Sequence, residues 1–152
     1  MPRTEKDLLA AIVCVLEALK VRVGGDFQKS FTDTEQVLHG EPTCLHRDIR
    51  WPNVMRHLDN KQKWFIIDWG DAAMLGSCTA QSHFEWRTHS PRVFVDGHGT
   101  EVDIWGVGGL ILDCGALDIS SELRGLGEWM RGSAPPSAEE ALDKILQYQS
   151  CH

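Results

Sequence analysis

Two stretches of this chain are too apolar to sit at a surface. From Leu8 to Leu19 (LLAAIVCVLEAL) a helix is apolar on nearly every face, and EVDIWGVGGLILDC, residues 101–114, is apolar enough for a second one despite Gly106, Gly108 and Gly109. Helices of that kind belong in the middle of a domain. Two of them in 152 residues predict a single, mainly helical domain with a real core. Glu17 interrupts the first stretch, which is too short to span a bilayer and is followed by no A-x-A-like cleavage site. It is therefore expected to be a buried helix over residues 4–20, started by Thr4 with Asp7 three positions on. The last helix is marked more sharply: Ser137 and Glu140 form an S-x-x-E box ahead of the striped ALDKILQY. A shorter helix is expected near Ser120–Met130.

Between these helices lie two short apolar runs, VMRHLD and KWFIID, with turn-forming Asp59-Asn60 between them. They predict one small β-hairpin, giving a fold that is mainly α and α+β overall. Arg56, His57 and Lys61 are expected to be solvated hairpin residues. Residues 76–100 show neither helical nor strand period, and a loop this long in a compact domain is usually functional or disordered. Residues 21–37, with Gly24-Gly25, Asp26, Ser30, Thr32 and Asp33, are expected to be an inserted loop.

Charge and cysteine usage narrow the classes further. A net charge of −7 excludes a broad basic face for nucleic acid. Cys14, Cys44, Cys78, Cys114 and Cys151 are scattered, so there is no C-x-x-C zinc or redox pair. An odd, scattered set points to free thiols in a reducing compartment, cytoplasmic or nuclear, with no membrane association expected. His83, His89 and His98 are irregularly spaced, and no ligand pattern supports a metal set, so they are taken as loop residues. Trp51 and Trp69 are expected to pack as core or wall.

The chemistry concentrates in two acidic loops. LHRDIRWPN, Leu45 to Asn53, holds Asp48, Arg50 and Asn53, and DWG begins at Asp68 directly after the second strand. The hairpin brings both loops to one end of a small sheet, so Asp48, Asn53 and Asp68 should converge. Asn53 and Asp68 are hard oxygen ligands suited to Mg²⁺. Asp48 is then placed to orient a hydroxyl and accept its proton, and Arg50 supplies positive charge where a phosphoryl group gains negative charge. Metal, acceptor and charge clamp are the parts that phosphoryl transfer needs. Taken alone, a polar loop of this kind is most often a turn.

The chain resembles the C-terminal lobe of eukaryotic-type protein kinases. HRDIRWPN matches the catalytic-loop pattern H-R-D-[L/I]-x-x-x-N, DWG stands at the D-F-G position, EVDIWGVGGL resembles the D-x-W-x-x-G helix, and PPSAEEAL resembles the closing segment. The four occur in the family's order over roughly residues 4–150. The resemblance implies transfer from ATP, with Mg²⁺, to Ser or Thr hydroxyls of a protein substrate. It implies that Asp48 is the catalytic base, Arg50 its charged neighbour, and Asn53 and Asp68 the metal ligands, with Gly70 beside the cofactor. His46, Asp103 and Trp105 are implied to be structural. Arg47 is implied to receive an activation-segment phosphate, for which Ser77, Thr79, Ser82, Thr88 and Ser90 are candidates. The style of the motifs further resembles divergent kinase-like proteins of fungi and oomycetes, some of them effectors.

Two departures bear on what to expect. No Gly-rich phosphate loop, strand Lys or helix Glu of the upper lobe is matched. The resemblance therefore implies an incomplete catalytic domain over residues 1–152, whose N-terminal lobe an upstream segment or a partner would supply. The A-P-E position reads Ser90-Pro91-Arg92, and the partner Arg of the closing segment is replaced by Pro135, so both ends of a buried bridge change together. Two alternatives stay open: a catalytically silent kinase fragment that binds proteins, and a small-molecule phosphotransferase of the aminoglycoside or choline kinase type.

Overall fold

The computed structural model describes residues 1–20, 44–115 and 117–152. The expected insertion at residues 21–37 lies outside the described residues. The described residues form four helices and two small antiparallel sheets, α1(Glu5–Lys20), β1(Cys44–Leu45), β2(Val54–Arg56), β3(Trp64–Ile66), β4(Ala73–Met74), α2(Glu101–Leu112), α3(Ser121–Met130) and α4(Ala138–Cys151). The fold is mixed α and β with helix dominant, as the hydrophobic period predicts.

Helix α1 begins where Thr4 Oγ1 accepts the Asp7 N–H at 3.1 Å, while Asp7 turns its own carboxylate to the Arg3 N–H. The helix buries Leu8, Leu9, Ala11, Ile12, Val15, Leu16 and Leu19 against α4, β3 and α2. Each of the leucine, isoleucine and valine side chains contributes about 1.5–3 kcal/mol when fully buried. Glu17 and Ala18 stay in water, so α1 has a narrow wet stripe where burial on nearly every face is expected from the sequence. Helix α4 closes the reciprocal capping box between Ser137 and Glu140. The Tyr148 hydroxyl then ties it to α1 by donating to Glu5 Oε1 at 2.6 Å, and it lies 2.8 Å from Ser120 Oγ at the cap of α3.

Helix α2 is the floor beneath the loops. Its glycines, which cost helix propensity, are points of close approach. A Cβ on Gly108 would stand 2.6 Å from the Gly127 carbonyl of α3, and one on Gly106 would stand 2.7 Å from Ile49 of the Leu45–Asn53 loop.

The hairpin pairs Val54 with Ile66, Met55 with Phe65 and Arg56 with Trp64. Arg56 is not a solvated residue: it is partly buried, bonds Asp7 of α1 at 2.5 Å and lies over the Trp64 ring. His57 and Lys61 are exposed. A second sheet pairs Cys44 with Met74 and Leu45 with Ala73. It carries a small satellite core of Leu45, Cys78, Val93 and Val102 beneath the long loop. All five cysteines are free thiols. Among the described residues no helix is long and apolar enough to cross a membrane.

Candidate functional site

The Leu45–Asn53 loop hangs from α2 through one carboxylate. Asp103 accepts the backbone N–H of His46 at 2.8 Å and that of Arg47 at 2.6 Å. Burial pushes the Asp103 carboxyl above the ordinary range, while the two N–H groups and the Arg47 guanidinium pull it down. Arg47 sits in the left-handed region at φ 70, a conformation a non-glycine residue adopts at a cost. The pair of hydrogen bonds from His46 and Arg47 to Asp103 offsets that cost. A second anchor follows: Trp51 donates its indole N–H to the Leu110 carbonyl of α2 at 3.1 Å.

His46 is fully buried, and both ring nitrogens are spent. Nδ1 accepts the Asp48 N–H at 3.2 Å, and Nε2 donates to the Ile67 carbonyl at 2.9 Å. This single imidazole joins the two acidic loops, and Trp69 packs edge-on against it with centroids 4.7 Å apart. The Arg47 guanidinium reaches the other way. Its Nε donates to the Asp71 carbonyl and its Nη1 lies 3.5 Å from that of Thr79, so it clamps the start of the long loop.

Asp48 is 8% exposed and lies at the centre. Asn53 donates to its Oδ2 at 2.7 Å and to its backbone carbonyl at 2.9 Å. Both amide hydrogens of Asn53 are thereby used, and its Oδ1 accepts no hydrogen bond among the described residues. The Ile67 N–H donates to the Asn53 carbonyl at 2.9 Å, which sets Asp68 one residue beyond a direct bond between the loops. Asp68 is exposed, takes φ 62, and its carboxylate caps nothing. A Cβ on Gly70 would stand 3.4 Å from Asp68 Oδ1, an ordinary contact distance, so Gly70 lies beside that carboxylate. Arg50 is half exposed, and its Nε lies 3.1 Å from Asp48 Oδ1. The structure thus brings Asp48, Arg50, Asn53, Asp68 and Gly70 to one corner, with His46, Arg47 and Asp103 beneath it. Trp105 is separate. It carries the Arg131 guanidinium 3.7 Å from its ring centroid, in a groove also lined by Ser90, Arg92, Glu101 and Pro135.

Among the described residues no group of three or more His, Cys, Asp and Glu side chains is arranged to hold a metal by itself. Asn53 Oδ1 and the Asp68 carboxylate are hard oxygen donors, the type that suits Mg²⁺, an ion that usually keeps waters and takes its remaining ligands from substrate phosphates.

One site residue escapes the sequence reading. His89, from the long loop, places Nε2 2.8 Å from Asp48 Oδ1 and is buried there. No local pattern announces a contact between residues 41 positions apart.

No family model matches the chain. The chain is similar to Crinkler effector protein 8 of Phytophthora infestans, 41% identical over 70 residues, which is 44% of this chain. The match spans 12% of that protein's length.

Proposed function

We propose that this chain is the C-terminal lobe of a protein-kinase-like phosphotransferase that moves the γ-phosphoryl of ATP, with Mg²⁺, to a Ser or Thr hydroxyl of a protein. The observation that carries the proposal is the corner itself. A buried carboxylate, Asp48, is locked by Asn53 at 2.7 Å, and a carboxylate with no hydrogen bond among the described residues, Asp68, follows the strand bonded to Asn53. A buried Asp orients the acceptor hydroxyl and takes its proton as oxygen attacks phosphorus. Arg50, half exposed beside it, offsets charge on the phosphoryl oxygens. Asn53 and Asp68 would hold Mg²⁺, which would supply positive charge to offset that of the phosphates. The outward-facing Met55–Phe65 pair, 47% and 44% exposed on the adjoining hairpin, offers an apolar seat for a nucleobase.

The proposal includes an N-terminal lobe supplied from outside these residues, since the Lys and Gly-rich loop that hold the α- and β-phosphates have no match here. The effector name of the relative says nothing of phosphoryl transfer, so support comes from the geometry. Calorimetry with Mg·ATP and an Asp68→Ala control tests nucleotide binding. Phosphate transfer to a generic protein substrate, by the protein completed with its N-lobe and by its Asp48→Asn variant, tests the chemistry. Transfer only to small alcohols or aminoglycosides would favour the small-molecule phosphotransferase. Absence of binding and transfer in the completed protein would favour a protein-binding module.

A further inference from the structure

We infer that His89 is a positioning residue for Asp48: it fixes the carboxylate so that one lone pair of Oδ1, the one now covered by Arg50, is left for the acceptor hydroxyl. This rests on Asp48 being the group that faces the acceptor.

The carboxylate has few places left for a hydroxyl. Oδ2 takes the Asn53 amide at 2.7 Å. Oδ1 takes His89 Nε2 at 2.8 Å and Arg50 Nε at 3.1 Å. A carboxylate oxygen accepts about two hydrogen bonds, so Oδ1 is full and a hydroxyl that reaches it must displace one of its two donors. The two differ greatly in how firmly they are held. Arg50 is half exposed, and its other nitrogens are bonded to nothing among the described residues. His89 is 7% exposed and held on three sides. Its ring stacks on Phe84 at 4.2 Å with 8° between planes. Its Nδ1 lies 3.0 Å from Thr88 Oγ1 and 3.1 Å from the Glu85 carbonyl. A carboxylate can only accept, so Nε2 is the donor toward Asp48. Arg50 is therefore the partner that leaves, swinging to the phosphoryl group, and His89 is the partner that stays.

That bond is also the direct side-chain link between Asp48 and the long loop. Reorientation of the loop reaches the carboxylate through one imidazole, and misplacement by about 1 Å costs on the order of a hundredfold in rate.

The test compares the parent with Asp48→Asn, His89→Phe and His89→Gln, each in the full-length protein with ATP and a protein substrate. Phe keeps the stack and loses the donor; Gln keeps an N–H donor. His89→Phe is expected to lower kcat by about ten- to a hundredfold with KM for ATP unchanged, and His89→Gln to recover part of the loss. A His89→Phe variant as fast as the parent, while Asp48→Asn is dead, overturns the positioning role alone. A faster one overturns it in favour of a cap on Asp48. A parent no more active than Asp48→Asn overturns the phosphotransfer proposal and the positioning role with it. Should His89→Phe fail to fold, histidine ¹⁵N spectra of the parent and Asp48→Asn decide. His89 signals that move with the Asp48 change support the link, and unmoved signals overturn it.

Discussion

The Asp103 carboxylate holds two consecutive backbone N–H groups, those of His46 and Arg47, from across the fold at 2.8 and 2.6 Å. Both donors are buried, and the second belongs to a residue at φ 70. Asp103→Ala leaves both without a partner, and each orphaned buried group costs about 1–3 kcal/mol. Asp103→Asn keeps one acceptor oxygen but turns an NH₂ toward the other N–H, so it should be damaging as well, though less so. Urea denaturation is expected to rank the parent above Asn and Asn above Ala. An Ala variant within about 0.5 kcal/mol of the parent, the usual range for a neutral surface change, would refute the anchoring role.

Gly106 and Gly108 should be as intolerant as Asp103, for a steric reason. A methyl on Gly106 meets Ile49 at 2.7 Å, and one on Gly108 meets the Gly127 carbonyl at 2.6 Å and Met130 Cβ at 2.9 Å. Ala is the better helix former, so propensity alone predicts a gain of about 0.5–1 kcal/mol. Overpacking predicts a loss of about 1–3 kcal/mol. The contacts are with backbone and Cβ atoms that cannot swing aside, so the loss should win. Thermal melts of Gly106→Ala and Gly108→Ala check this, with Gly125→Ala, whose added Cβ meets nothing within 4 Å, expected to melt at or above the parent.

These glycines also show which parts of the fold local sequence carries. Helices α2 and α4 are legible because burial and capping are local: an apolar run needs a core, and Ser137 reads its own chain at Glu140. The hairpin is legible from Asp59-Asn60 and its flanking runs, and with it the backbone bond that joins the two acidic loops at Asn53 and Ile67. Sheet β1–β4 is not, because two residues per strand carry no alternation to detect. Arg56 reads as solvated until Asp7, 49 positions earlier, closes on it. His89 reads as one polar residue in a polar loop, since its bond to Asp48 is set by how residues 76–100 fold back over the Leu45–Asn53 loop.

Asp68 allows backbone strain and metal binding to be separated. At φ 62 glycine carries no penalty, whereas an alanine in this region pays roughly 1–2 kcal/mol. Asp68→Gly should therefore be more stable than Asp68→Ala. Both remove the carboxylate, so both should lose Mg²⁺-dependent nucleotide binding to the same extent. Melting temperatures and Mg·ATP calorimetry on the pair check this. Binding that survives in either variant would remove Asp68 from the proposed metal site.

Tyr148 gives a pH dependence of known sign. Burial raises its hydroxyl pKa above the ordinary value, and so does the Glu5 carboxylate that takes its hydrogen bond. The folded state thus holds the proton more tightly than the unfolded chain. The stabilisation is fully present below about pH 10, the usual tyrosine value, and is lost as pH rises through the raised one. Tyr148 is the chain's one tyrosine, so ultraviolet titration of phenolate reports on it alone. Native protein should ionise at higher pH than protein in urea. Tyr148→Phe should lose about 1–3 kcal/mol at neutral pH through the bonds to Glu5 and Ser120. The variant should also show a shallower fall in urea midpoint above about pH 10 than the parent. An equal fall in both proteins would mean that Tyr148 does not carry the alkaline transition.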